Sequence, residues 1–347
     1  KLIQLNPISS MKTNTTPLKV AIVLPIFNVE KFLPECLDSI LNQTYNNYTV
    51  FAINDGSTDQ STTILQTYAS RDKRIFIVRQ PNKGLAAARN HALSLIESDS
   101  SFDFVAFVDS DDVLDSEFLS AHIANLKDNH SDVSICGFLK LYDNHETRLQ
   151  HAFAKQKQLN STEFIELIFS YNDWGHACGA GGMVWKQLYK ASVIRGLRFP
   201  ENRNILEDEP YNTEVAQRAN KFSYIPRSLY LYRQSGSSLC RDTNFKVRCF
   251  NGRKLCVENS LRLSQKASDI VLSALLDSIA SLLKDGKHIP DIDKYQSRIY
   301  CARKSGQLKN KSFLIFQLFC NHPFLAKIYI YTRKFILKIK KFLGLRV

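Results

Sequence analysis

Two hydrophobic periodicities alternate through the first third of the chain. Val20 to Leu24 is a continuous apolar run stopped by Pro25, and Tyr48 to Ile53 is a second run stopped by Asn54-Asp55-Gly56-Ser57. Apolar runs of this length bounded by turn residues read as buried strands. Between them, Phe32, Leu33, Cys36, Leu37, Ile40 and Leu41 recur at helical spacing within Glu30 to Leu41, and Thr58 to Tyr68 repeats the theme. Arg74 to Arg79 predicts a third strand, Leu85 to Ile96 an Ala-rich helix, and Phe102 to Val108 a fourth strand. Strands alternating with helices imply right-handed crossovers and a mostly parallel sheet covered on both faces, an α/β fold.

Beyond this the pattern loosens. Asp132 to Leu139 reads as another strand, Glu163 to Phe169 and Lys186 to Ile194 as helices, and Glu207 to Ala219 as a helix with an acidic first turn suited to the positive end of its dipole. Phe222 to Ile225 and Leu229 to Tyr232 read as short strands, and from Cys240 onward helical spacing continues without strands. The expected organisation is a flexible segment over 1–18, a sheet-based catalytic domain over 19–239 and a helical region over 240–347.

Charge sharpens that division. The chain of 347 residues carries 46 Lys plus Arg against 33 Asp plus Glu, a net charge of +13. Thirteen basic residues and no acidic one lie between Lys294 and Val347, so the remainder sums to zero. A uniformly basic, nucleic-acid-coating protein is thereby disfavoured, and no recognised nucleic-acid module accompanies the charge. No window reaches the roughly 18 consecutive apolar residues of a membrane-spanning helix. Lys1 to Lys19 is polar, with no apolar core or small-residue cleavage site, which argues against secretion. The eight cysteines never form a C-x-x-C pair and are read as free thiols filling apolar positions.

In open α/β sheets, ligands bind outside the carboxyl ends of the strands. The loop after the fourth strand, Asp109-Ser110-Asp111-Asp112, places three carboxylates in four residues, which repel one another unless a cation or solvent compensates. Mg²⁺ or Mn²⁺ takes one or two carboxylates plus substrate phosphates, which suits a D-x-D turn. An acidic turn leading into a helix capped by Asp115 or Ser116 is the structural alternative.

Several motifs then fall in a familiar order. Val20 to Asn28 resembles an opening strand with a P-x-[YF]-N turn, Asn54 to Asp59 a D-G-S-x-D turn, and Lys83 to Asn90 a G-x-x-x-A-R-N helix start. Phe107 to Asp112 supplies the D-x-D segment, followed by Trp185 to Tyr189, Glu207-Asp208, and Tyr230 to Ser238 as a Y-x-x-R-x-x-G-S segment. This succession, over residues 19 to 239, resembles glycosyltransferase family 2 of the bacterial surface-glycan type, the inverting nucleotide-sugar enzymes with the GT-A fold.

The resemblance implies roles residue by residue. Pro25, Phe27, Asn28 and Asp55 would hold the nucleoside, Phe27 offering its ring where Tyr is common and Asp55 accepting a uracil imide N–H. Gly84, Arg89, Asp109, Ser110 and Arg233 would complete the donor site, Arg89 by organising its acidic residues and Arg233 as a phosphate contact. Asp111, assisted by Asp109, would hold Mn²⁺ or Mg²⁺. Asp208 would be the base that takes the acceptor hydroxyl proton, with Glu207 second to it. Trp174 and Glu207 are candidate acceptor contacts, and His176 a further acceptor contact or metal ligand.

In the tail, Lys327, Lys334, Lys338 and Lys341 fall on one side of a helical wheel and Phe324, Ile328, Phe335, Ile339 and Phe342 on the other. That arrangement predicts a helix in the interface of an anionic membrane, or one docked on its own domain or a partner. The expected protein is thus a cytoplasmic, peripheral-membrane, metal-dependent transferase moving sugar from a UDP-sugar to a glycan acceptor on a lipid carrier, and a homo-oligomer is compatible with it. Two rivals stand beside it. A sugar nucleotidyltransferase would show a G-x-G-x-R loop after strand one, which is missing, and a non-catalytic nucleotide-sugar-binding scaffold would not need Asp55, Asp109, Asp111 and Asp208 intact.

Overall fold

A computed structural model describes residues 17–142, 147–150, 155–169, 182–202, 205–234 and 244–285, together with 287, 289, 295, 298–300, 302, 313–314 and 316–317. The first third follows the predicted alternation: β1 (Val20–Ile26), α1 (Leu33–Leu41), β2 (Tyr48–Asn54), α2 (Ser61–Arg71), β3 (Ile75–Arg79), α3 (Leu85–Ser98) and β4 (Phe104–Phe107). Then come β5 (Val113–Leu114), α4 (Phe118–Asn129), β6 (Val133–Leu141), β7 (Thr147–Gln150), β8 (Lys157–Leu159) and α5 (Ser161–Phe169). The chain continues through β9 (Gln187–Lys190), α6 (Ala191–Ile194), α7 (Asp208–Arg218), β10 (Phe222–Arg233), α8 (Phe245–Ser260) and α9 (Gln265–Lys284).

The strands form one sheet in the order β3-β2-β1-β4-β9-β6-β10-β5, with β7 on β6 and β8 on β10. From β3 to β4 every pairing is parallel, so their carboxyl ends and the loops leaving them lie along one rim. The period-2 alternation of a strand divides the side chains between two cores. Val20, Ile22, Leu24, Val50 and Ala52 pack on one face with α1, and Ala21, Val23, Phe51, Ile53 and Phe107 pack on the other with α3, α5 and α7. Because both faces are covered, β1 is apolar at every position and fully buried. Phe107 meets Phe199, Tyr189 and Tyr211 edge-on at ring distances of 5.3, 5.7 and 5.8 Å. Phe250, Val257, Val271, Leu275 and Ile279 of α8 and α9 extend this second core over α7 and α5.

Two local expectations change. Lys186 to Ile194 is not one helix: Lys186 ends a 3₁₀ turn (Val184–Lys186), Gln187–Lys190 forms β9, antiparallel to both β4 and β6, and only Ala191–Ile194 is α-helical. Leu188 and Tyr189 alternate across the sheet into opposite cores, so burial on two faces overrides the weak helical spacing. Phe222 to Ile225 and Leu229 to Tyr232 are parts of the single strand β10, whose register along β6 shifts between Ile225 and Ser228 and again before Tyr230. Pro226 lies in the first shift, where its missing N–H costs the ladder nothing. The amphipathic segment 324–343 and residues 170–181, which include Trp174 and His176, lie outside the described residues.

Candidate active site

The rim is built from the loops that leave the parallel strands. The loop after β1 is laced to the loop after β2: the Asn28 N–H donates to Ser57 Oγ (3.2 Å), and Asn28 Oδ1 accepts from the Thr58 N–H (2.8 Å). The Glu30 N–H donates to Asp59 Oδ2 (3.0 Å), and the Gln60 N–H donates back to Glu30 Oε2 (2.7 Å). Asn28 sits at φ 50°, a left-handed conformation that Asn tolerates better than most residues. These ties leave the ring of Phe27 45% exposed beside the strand ends, the kind of face on which a planar base stacks. Pro25 is buried within β1.

Asp55 closes the next loop. Its Oδ1 accepts from Gln80 Nε2 (2.7 Å) and the Lys83 N–H (2.8 Å), and its Oδ2 from the Gly84 N–H (2.8 Å). Gly84, at φ 97°, turns the chain into α3. A carboxylate offers about four acceptor positions. Three of them shape the 80–84 loop, which leaves one directed elsewhere.

Arg89, on the second turn of α3, is 1% exposed and joins three carboxylates. Its Nη1 donates to Glu207 Oε1 (3.0 Å) and Asp208 Oδ1 (2.8 Å), and its Nη2 to Asp109 Oδ1 (2.8 Å). The guanidinium also lies 5.2 Å from the centre of the Phe199 ring, while Nε is buried without a hydrogen bond. Glu207 and Asp208 meet it from the start of α7, 118 and 119 positions along the chain. One cation thus compensates three acidic groups, and the balance tells on Asp208. Burial raises its carboxyl, Arg89 opposes, and Glu207 and Asp109 raise it further, to about 8.

The remaining carboxylates of the D-x-D loop have separate environments. Asp112 is fully buried: its Oδ2 accepts from the Tyr230 hydroxyl (2.8 Å) and its Oδ1 from the Arg233 N–H (2.7 Å). It therefore fastens the loop to β10, and the next helix begins six residues later at Phe118. Tyr230 Oη also accepts from the Asp109 N–H (3.1 Å). Arg233 donates from Nε to the Asp111 carbonyl (2.8 Å), pairs through Nη2 with Glu35 of α1 and lies over the Phe32 ring at 4.8 Å. Ser110 is buried. Asp111 is raised to about 6 by burial and by the charge of Asp109, with its own backbone N–H and Arg233 opposing.

That donor set fits a divalent cation with oxygen preference. Asp111 is an acidic group held above its ordinary range by burial and then by a negative neighbour, and Asp109 keeps Oδ2 beside the Oδ1 that Arg89 occupies. Among the described residues no group of three His, Cys, Asp or Glu side chains forms an all-protein cage. One or two carboxylates completed by phosphate oxygens is the habit of Mg²⁺ and Mn²⁺.

The model of the glycosyl transferase family 2 domain matches residues 21–192, the stretch that supplies the loops after β1, β2 and β4 and the start of α3. Residues 21–192 form a glycosyltransferase family 2 domain. The chain is similar to the uncharacterized glycosyltransferase EpsJ of Bacillus subtilis, 31% identical over 63% of this chain and 62% of EpsJ. It is also similar to glycosyltransferase GlyG of Streptococcus pneumoniae, 29% identical over 77% of this chain and 87% of GlyG. The chain therefore spans less than two thirds of EpsJ and most of GlyG. Among solved structures, TarS 1-349 of S. aureus in complex with UDP-GlcNAc superposes with a TM-score of 0.63 at 19% identity, covering 94% of this chain and 93% of that one. This likeness shows the GT-A fold.

Within this family 2 domain, the residues expected from sequence gather at one rim: Phe27, Asn28 and Asp55 at the β1 and β2 ends, Gly84 and Arg89 on α3, and Asp109 to Asp112 after β4. Glu207, Asp208 and Arg233 reach the same place from beyond residue 192. Sequence reasoning missed Gln80, which shares His91 Nδ1 (2.7 Å) with its clamp on Asp55, and Glu35, which pairs with Arg233. Nor does the loop itself announce the Tyr230 hydroxyl over Asp112. The one available signal was Tyr230 lying three positions before Arg233 in the Y-x-x-R segment.

Proposed function

We propose that the protein transfers a sugar with inversion from a UDP-sugar to a hydroxyl of a surface-glycan or teichoic-acid-type acceptor, with Asp208 as the base. The observation that carries this reading is Arg89, whose Nη1 holds Asp208 at 2.8 Å and whose Nη2 holds Asp109 at 2.8 Å, so that the proposed base and the proposed donor loop share one buried cation. An acceptor hydroxyl approaching between them meets a carboxylate whose upward shift makes it a stronger proton acceptor than an ordinary Asp. Phe27 and the remaining acceptor position of Asp55 would receive the uracil, with UDP favoured by the UDP-GlcNAc complex of TarS, and Arg233, held at the Asp111 carbonyl and Glu35, would be the phosphate contact. Asp111 and Asp109 would hold Mn²⁺ or Mg²⁺, which when bound neutralises charge growing on the leaving diphosphate. A lipid-linked acceptor, reached through the basic C-terminal segment on an anionic membrane, completes the proposal; no described helix is long and apolar enough to cross a membrane.

The test is a panel of UDP-, GDP- and dTDP-sugars scored for Mn²⁺-dependent thermal stabilisation and nucleotide release. A UDP-sugar should stabilise and turn over, and Asp208→Asn should still be stabilised while losing turnover. Asp111→Asn should lose the Mn²⁺ dependence of stabilisation. Turnover near wild type in Asp208→Asn refutes its assignment, and stabilisation by none of the nucleotide sugars refutes the whole reading.

A further inference from the structure

The acidic segment that carries Asp208 is held from behind by α8, a helix outside the residues matched by the family 2 domain. Glu209, the next residue, is 3% exposed and takes both arms of Arg253: Nε to Oε2 at 3.1 Å and Nη2 to Oε1 at 3.1 Å. The same guanidinium, itself 2% exposed, donates from Nη1 to the Ala274 carbonyl (3.0 Å) and Ser278 Oγ (2.7 Å) of α9, so one side chain ties α7, α8 and α9 together. A bidentate pair fixes orientation as well as distance. Five residues earlier on α8, Arg248 Nη2 lies 3.8 Å from Glu207 Oε2, the other oxygen of the carboxylate whose Oε1 holds Arg89. The backbone closes the same contact: the Leu206 N–H donates to the Arg248 carbonyl (3.1 Å). A Cβ on Gly252 would stand 2.7 Å from the Leu206 carbonyl oxygen, so only glycine lets the helix sit this close.

Four contacts from one helix therefore fall on Leu206, Glu207 and Glu209, and on either side of Asp208 they fix the neighbouring carboxylates. We propose that Arg253 is a positioning residue for the transfer reaction: gripping Glu209 from α8, with Arg248 on Glu207 and Gly252 under Leu206, it aims Asp208 at Arg89 and the acceptor hydroxyl. This rests on Asp208 being the base. The C-terminal helices are then part of the catalytic apparatus, and the nucleotide-binding sheet does not aim the base by itself.

The experiment uses the full chain and three variants, Arg253→Met, Arg253→Lys and Gly252→Ala, with two independent readouts. Amide hydrogen exchange across 205–212 should quicken at least about tenfold in Arg253→Met and Gly252→Ala and less in Arg253→Lys, while exchange in β1 and β4 stays unchanged. With UDP-GlcNAc and Mn²⁺, UDP release should lose kcat on the order of 100-fold in Arg253→Met, as expected for a base displaced by about 1 Å, with KM and UDP affinity changed less than about threefold. Arg253→Lys should recover part of that kcat. Unchanged exchange across 205–212 in Arg253→Met and Gly252→Ala overturns the proposal, as does a loss confined to KM. If wild type releases no UDP from UDP-GlcNAc or from any other UDP-sugar, the functional reading is what has failed, and the exchange result alone judges the grip of α8 on the segment. If Arg253→Met does not fold, Gly252→Ala decides by the same two readouts.

Discussion

Replacing Arg89 by Met keeps much of the apolar stem of the side chain and removes the one cation shared by Asp109, Glu207 and Asp208. Three charge-assisted hydrogen bonds at 2.8, 2.8 and 3.0 Å are lost. At about 1.5–3 kcal/mol each, they set a ceiling of roughly 4.5–9 kcal/mol. The carboxylates left behind take up protons instead of remaining buried and charged, which brings the expected loss to about 3–5 kcal/mol. That relief fixes the pH dependence. Without Arg89 the carboxyl of Asp208, already raised to about 8 by burial, rises further, so the folded variant binds more protons than its unfolded chain. Its stability therefore falls as pH rises from the unfolded value near 4 through that raised value, and the penalty relative to wild type is smaller at pH 5 than at pH 8. Thermal melts at the two pH values should show Tm lowered by roughly 6–15 °C at pH 8 and by much less at pH 5. Arg89→Lys, a point charge unable to span three carboxylates, should fall between wild type and Arg89→Met. A loss under about 1 kcal/mol at pH 8 would refute the shared-cation argument. So would a loss of equal size at both pH values.

The other predictions concern the base and the loop after β2. If Asp208 accepts the proton, kcat requires it ionised, so activity should rise with pH along a limb centred near 8, far above an ordinary aspartate, and Glu207→Gln should move that limb downward by removing a negative neighbour. A limb near pH 4 would show that another group accepts the proton. Gly56 stands at φ 76° with space for a Cβ closed by the Asn82 N–H at 2.8 Å. Gly56→Ala should cost about 1–2 kcal/mol in urea unfolding and weaken UDP binding through the Asp55 clamp, and an unchanged urea midpoint would contradict this.

What could be read in the sequence depends on how each residue finds its partners. Asp55 and the D-x-D loop sit where strands end, and a strand end in a parallel sheet is announced locally, by an apolar run meeting turn residues. Their gathering at one rim then follows from topology, without knowledge of any contact. Four-residue β9 had no such announcement: Lys186 to Ile194 carries enough helical spacing to mislead, and its place between β4 and β6 is decided by two cores that form only in the folded chain. The same holds for β10, where Pro226 interrupts the pattern while the register shift absorbs the interruption. Arg248 and Arg253 were invisible for a stronger reason. In sequence they are two of several cations on a helix whose apolar face is weakly marked, and a cation on a helix ordinarily reads as solvated. Only the approach allowed by Gly252 turns them inward onto Glu207 and Glu209, 41 and 44 positions earlier in the chain. Charge patterning therefore locates the acidic loops but not the cations that govern them. Net charge therefore says little about the site: Arg89 and Arg253 are buried, Arg248 half-buried, and all three lie against the carboxylates around Asp208.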